Sequence, residues 1–137
     1  MKKLISERTA VRALIILLSA VVLFHLLVLF GVIPHDIVWG GRLTDRSQVT
    51  RFELISISIN LVMIFVVMIR GRIIKAPIEP LILRIALWVM TVLFILNTIG
   101  NIISLNNFER YVFTPITLLL AFFCLRLVMN DRKEIID

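Results

Sequence analysis

Apolar and polar positions along this chain separate into blocks rather than alternating at short period. Four long apolar runs, over residues 13–33, 52–69, 81–103 and 107–129, are divided by short polar segments. The first run has 21 residues, which at 1.5 Å per residue cover about 31 Å, the thickness of a hydrocarbon core. A cleaved signal sequence would have a shorter apolar region ending at a small-x-small site. This run instead ends at Gly31-Val32-Ile33-Pro34, so it is read as a span that stays in the membrane. Pro77 and Pro80 bracket the turn before the third run, where helices commonly stop and start.

The fourth run requires a choice of start. Thr114-Pro115 resembles an N-cap followed by proline at the first helical position. A helix beginning there covers only about 22 Å by Met129, too short to cross. A start near Asn107 gives about 34 Å and leaves Pro115 inside as a kink, with the carbonyl of Tyr111 freed from its usual partner. The longer, kinked span is preferred. The predicted fold is an all-α, four-helix transmembrane bundle built from two hairpins, a single domain over residues 1–137.

Basic residues set the expected orientation. Eleven fall at the termini and in the middle loop: Lys2, Lys3, Arg8 and Arg12; Arg70, Arg72, Lys75 and Arg84; and Arg126, Arg132 and Lys133. Four fall on the other side: Arg42, Arg46, Arg51 and Arg110. By the positive-inside rule both termini are expected in the cytoplasm, with the chain as a multi-pass protein of the plasma (inner) membrane. So large a bias also argues against a dual-topology antiparallel dimer.

Composition agrees with the block pattern. The chain is 60% hydrophobic with mean hydropathy +1.03, above the roughly 45–50% of soluble domains. The net charge of +6 sits beside apolar runs, as in proteins that contact anionic headgroups. No basic stripe with interleaved aromatics is present, and no nucleic acid is expected as a partner. Cys124 is the only cysteine, which rules out an internal disulfide or a paired-thiol redox centre. With two histidines and no thiol partner, no metal or cofactor is expected.

The informative positions are the polar ones at lipid depth, where such groups are expensive. They concentrate between Asn97 and Thr117, which joins the last two spans. Glu53, Ser56 and Asn60 fall on one stripe of the second span, Asn97, Asn101 and Ser104 on one of the third, and Thr114, Thr117 and Cys124 on one of the fourth. With His25 in the first span and Glu109 at the start of the fourth, they would line a polar cavity in the half of the bilayer away from the termini. The alternative is interhelical glue, since small and amide side chains are enriched where membrane helices meet.

Glu53 and Glu109 have a capping alternative too. Thr50-Arg51-Phe52-Glu53 fits the capping box, and Asn106-Asn107-Phe108-Glu109 is its looser asparagine version. The match of Phe52-Glu53 with Phe108-Glu109 is also compatible with duplication of a hairpin. His25 could bond a neighbouring helix or relay protons. It is expected about two turns below the level where the carboxylates start, leaving a gap that helix tilt would have to close. In the loop over residues 34–51, Trp39 reads as an interfacial anchor. Alternatively, Gly40-Gly41 would let the loop fold over the cavity mouth and present Arg42 inward.

The expected function is that of a small non-enzymatic integral membrane protein, accessory, structural or self-associating. Its partners would be the lipid bilayer and a second copy or a larger membrane complex. A small oligomeric permease or channel is the second possibility, weakened by the sparse polar groups in the cytoplasmic half. A lipid-modifying enzyme is a third, and would need His25 within hydrogen-bond reach of Glu53 or Glu109.

Overall fold

The computed structural model describes residues 4–130. Lys2, Lys3, Arg132 and Lys133, counted above toward orientation, lie outside them. Among the described residues four helices run in order, α1 (Glu7–Leu29), α2 (Arg46–Arg70), α3 (Pro80–Ile102) and α4 (Thr114–Asn130), the last preceded without a break by a π-helical turn (Glu109–Phe113); α1, α2, α3 and the fourth span counted with its π turn, Glu109–Met129, are long and apolar enough to cross a membrane. No strand occurs among the described residues.

Helix starts differ from the apolar runs where the first turns are polar. The Ser6 side chain accepts from the Thr9 amide and starts α1 at Glu7, six residues before the apolar run. Asp45 stands at the N-cap of α2, so Ser47, Gln48, Thr50 and Arg51 are helical. Thr50 is therefore not a cap, and the capping box expected at Glu53 does not form. Pro80 takes the first position of α3, where its missing N–H costs nothing.

Both hairpin helices α1 and α2 end in a Schellman turn. After α1, Val32 N–H donates to Leu27 O and Gly31 N–H to Val28 O, with Gly31 left-handed at φ +76. After α2, Ile73 N–H donates to Met68 O and Arg72 N–H to Ile69 O. There the left-handed residue is Arg72 (φ +57), although Gly71 is its neighbour. Packing accounts for the offset: a Cβ on Gly71 would sit 2.7 Å from Val11 Cγ1. The glycine is used to let α1 and α2 approach, not to make the turn. Gly71→Ala should therefore lower stability in detergent by about 1–3 kcal/mol, since Val11 is stiff at χ1. Adding Val11→Ala should recover part of that loss, and an additive double variant would refute the contact.

Around the bundle the helices stand in the order α2, α1, α4, α3: α1 packs on α2 and α4, α3 packs on α4, and α2 barely meets α3. The section is an open C. Its closed part is the half nearer the termini, where Leu14, Leu18, Val67, Leu87, Leu120 and Leu127 belong to one dry core with Cys124. Arg126, buried there, donates from Nε to Ile5 O and ties the end of α4 to the segment before α1. At the opposite end Val28, Val38 and Val49 form a second cluster that seats the loop between α1 and α2.

The π turn answers the expectation of a kink. Thr114 N–H reaches back five residues to Glu109 O. One extra residue in the turn before Pro115 lets the helix absorb the proline inside a continuous span.

Candidate functional site

Between the two clusters, on the loop side of the dry core, the gap between α2 and α3 becomes a groove of about 630 Å³. A cavity of that size lies in the range of small-molecule sites. Asn60 and Ser56 line it from α2, and Asn97, Gly100, Asn101 and Ser104 from α3. His25 and Phe24 face it from α1, Glu109 and Thr117 from the α4 side, and Trp39, Gly40 and Arg42 from the loop. Toward the termini it ends on Met63, Phe94 and Leu120.

The amides keep capacity for a further partner. Asn60 Nδ2 donates to Ser56 O at 2.8 Å within its own helix; its Oδ1 takes no hydrogen bond from a described residue. Asn101 Nδ2 reaches Thr117 Oγ1 at 3.4 Å, while Thr98 and Thr117 join α3 to α4 more tightly at 2.9 Å. Asn97 makes no hydrogen bond with any described residue and is exposed. The Cβ position of Gly100, between Asn97 and Asn101, faces open space. Thr117 thus acts as glue, Asn101 bonds across helices and also lines the groove, and Asn60 and Asn97 make no interhelical bond.

Two carboxylates control the mouth. Glu53, fully buried, is approached by His25 Nδ1 at Oε2 (2.5 Å) and by Trp39 Nε1 at Oε1 (3.0 Å). The pair is hydrogen-bonded whether Nδ1 donates to a carboxylate or accepts from a carboxylic acid. The expected two-turn gap between His25 and Glu53 is absent, because α2 begins earlier than its apolar run. Glu53 lies seven residues inside the helix, roughly 10 Å from its start, and His25 lies one turn from the end of α1.

Glu109 bonds the same loop one residue further on. Gly40 N–H donates to both of its oxygens at 3.2 Å, and Ser104 Oγ donates at 2.5 Å. The asparagine cap expected before it does form: Asn106 Oδ1 accepts from the amides of Phe108 (2.8 Å) and Glu109 (3.4 Å). The glutamate does not return to the cap amide, which instead donates to Ser104 Oγ.

Trp39, Gly40 and Gly41 follow each other in left-handed conformation, at φ +55, +65 and +70. That geometry turns the loop inward and aims the Gly40 amide at Glu109. A left-handed tryptophan is strained by about 1 kcal/mol or more, and its indole bond to Glu53 offsets the strain. Trp39 is therefore tethered to Glu53 at the groove mouth. Gly40 and Gly41 fold the loop over the mouth with Arg42 at the rim.

No family model, curated protein or solved structure matches the chain. The site rests on its own geometry.

Of the eight residues predicted to form the cavity, His25, Asn60, Asn97, Asn101, Glu109 and Thr117 line it; Glu53 stands behind His25, and Thr114 does not line it. Thr114 Oγ1 is buried and makes no hydrogen bond among the described residues. Cys124, on the same stripe, lies in the dry core. Sequence reasoning missed Phe24, whose ring meets Phe113 edge-on at 4.8 Å and Phe108 at 5.9 Å and so braces α1 against the α4 side beside His25. Among so many phenylalanines nothing in the sequence distinguishes it. Among the described residues no three His, Cys, Asp or Glu side chains gather to hold a metal ion.

Proposed function

We propose that the protein is a small, non-enzymatic integral membrane protein of the plasma membrane, with both termini cytoplasmic. It works by holding the polar part of a membrane-resident molecule in the groove between α2 and α3. The observation that carries this reading is a row of amides on two helices that barely meet: Asn60 on one bank, Asn97 and Asn101 on the other. Amides at lipid depth that made only interhelical bonds would be glue, and among the described residues Asn60 and Asn97 make none. A groove open between two spanning helices admits its occupant sideways, from the bilayer.

Conduction is less well supported. A pathway needs wettable lining along its length, and this groove ends on the core that includes Met63, Phe94 and Leu120.

The test uses protein extracted in mild detergent and examined by native mass spectrometry for retained small molecules or a second protein. Wild type should carry a membrane-derived molecule. Asn60→Leu and Asn97→Leu should lose it while melting within about 1 kcal/mol of wild type, since neither substitution removes an interhelical bond. Variants that keep the same bound molecules would remove the groove from the function. A stoichiometric protein partner, with no small molecule, would replace the occupant by a protein segment.

A further inference from the structure

We propose that the occupant of the groove is an amphiphile with an uncharged, hydroxyl-rich head, of the glycolipid type, and not a phosphodiester head. The inference rests on the groove-binding reading above and deepens it by naming the head.

Hydrogen-bond bookkeeping at the groove wall carries it. Asn60 must place its Nδ2 toward Ser56 O, because a carbonyl only accepts. Its Oδ1 is therefore an acceptor with spare capacity. Asn101 points Nδ2 at Thr117 Oγ1, whose own hydroxyl has the Phe113 and Thr114 carbonyls in reach, at 2.8 and 3.2 Å. Asn101 Oδ1 is thus a second acceptor. Glu109 adds a carboxylate at the rim, already taking Gly40 N–H and Ser104 Oγ. Donors stand beside them: the second N–H of Asn60 Nδ2 and of Asn101 Nδ2, the Asn97 amide, which can also accept, the Ser56 hydroxyl and Arg42.

A wall that mixes acceptors with donors suits a head whose O–H groups can meet both, whereas a head with acceptor oxygens alone leaves Asn60 Oδ1 and Asn101 Oδ1 without a donor. Hydroxyls can also accept from Asn97 and Ser56, so one head satisfies both kinds of wall group. The apolar lining from Ile59, Met63 and Leu93 suits the sugar-face carbons and the start of a chain. The chain itself leaves between α2 and α3 into the bilayer.

The experiment uses the full chain in phosphatidylcholine nanodiscs, with Trp88→Phe to leave Trp39 as the sole tryptophan. Trp39 borders the groove, whereas Trp88 is exposed on α3. Two probes of equal alkyl length are titrated below their micellar concentrations: an alkyl maltoside, whose head is all hydroxyl and ether, and an alkylphosphocholine, which has no N–H or O–H. The maltoside should give a saturable change in Trp39 emission, at least tenfold tighter than the phosphocholine. Asn60→Leu and Asn101→Leu should each weaken it about fivefold, as for one hydrogen bond. Equal saturation by both probes, or preference for the phosphocholine, would overturn the head assignment and leave groove binding intact. Saturation by neither would overturn both. The comparison of probes on one chain does not depend on the asparagine variants folding.

Discussion

Glu53→Leu should lower the stability of the detergent-solubilised protein by about 3–5 kcal/mol, the usual cost of breaking a buried pair by removing one partner. The substitution leaves His25 Nδ1 and Trp39 Nε1 without their hydrogen-bond partner, and Trp39 in a strained left-handed conformation without the bond that holds it. Had Glu53 closed a capping box, the loss would be about 0.5–2 kcal/mol, so an unfolding titration separates the two. The double variant His25→Phe/Glu53→Leu should be more stable than the sum of the single effects, because the stranded imidazole goes with its partner. Membrane hydrogen bonds are often weak, averaging about 0.6 kcal/mol. A measured loss near 1 kcal/mol with no coupling would show that the buried pair is only glue.

Glu109→Ala should cost about 2–4 kcal/mol through the Gly40 and Ser104 bonds it removes. It should also speed hydrogen exchange at the Gly40 amide while leaving the cap at Asn106 in place, because that cap uses the asparagine oxygen. Glu109→Gln, which keeps one acceptor, should lose about half as much. Exchange at Gly40 that does not change would contradict the latch.

The four spans were legible because lipid penalises polar groups so heavily that apolar runs have to show. Helix starts were less so. The first turns of α1 and α2 are polar, and their caps at Ser6 and Asp45 lie outside the apolar pattern. That one offset explains the misreading at Glu53. Counting α2 from Phe52 puts the carboxylate in its first turn; counting from Arg46 buries it beside His25. The stripes of Asn60, Asn97 and Asn101 were legible from spacing alone, since i, i+4 neighbours share a face. The side-by-side order α2, α1, α4, α3 was not, because every span has the same apolar character and nothing in the sequence says which two stand apart. The inward turn at Trp39 was legible only as an option of Gly40-Gly41. Its deciding partners, Glu53 and Glu109, are 14 and 69 residues away.

Those two partners come from different hairpins. Glu53 belongs to the first and holds Trp39 of its own loop; Glu109 belongs to the second and holds Gly40. If the hairpins insert separately and then dock, as helical membrane proteins do in two stages, the loop can be half set by the first hairpin alone. It locks only when the second arrives. The order of assembly is therefore written into two adjacent residues: the indole of Trp39 marks an inserted hairpin, and the amide of Gly40 marks a docked pair.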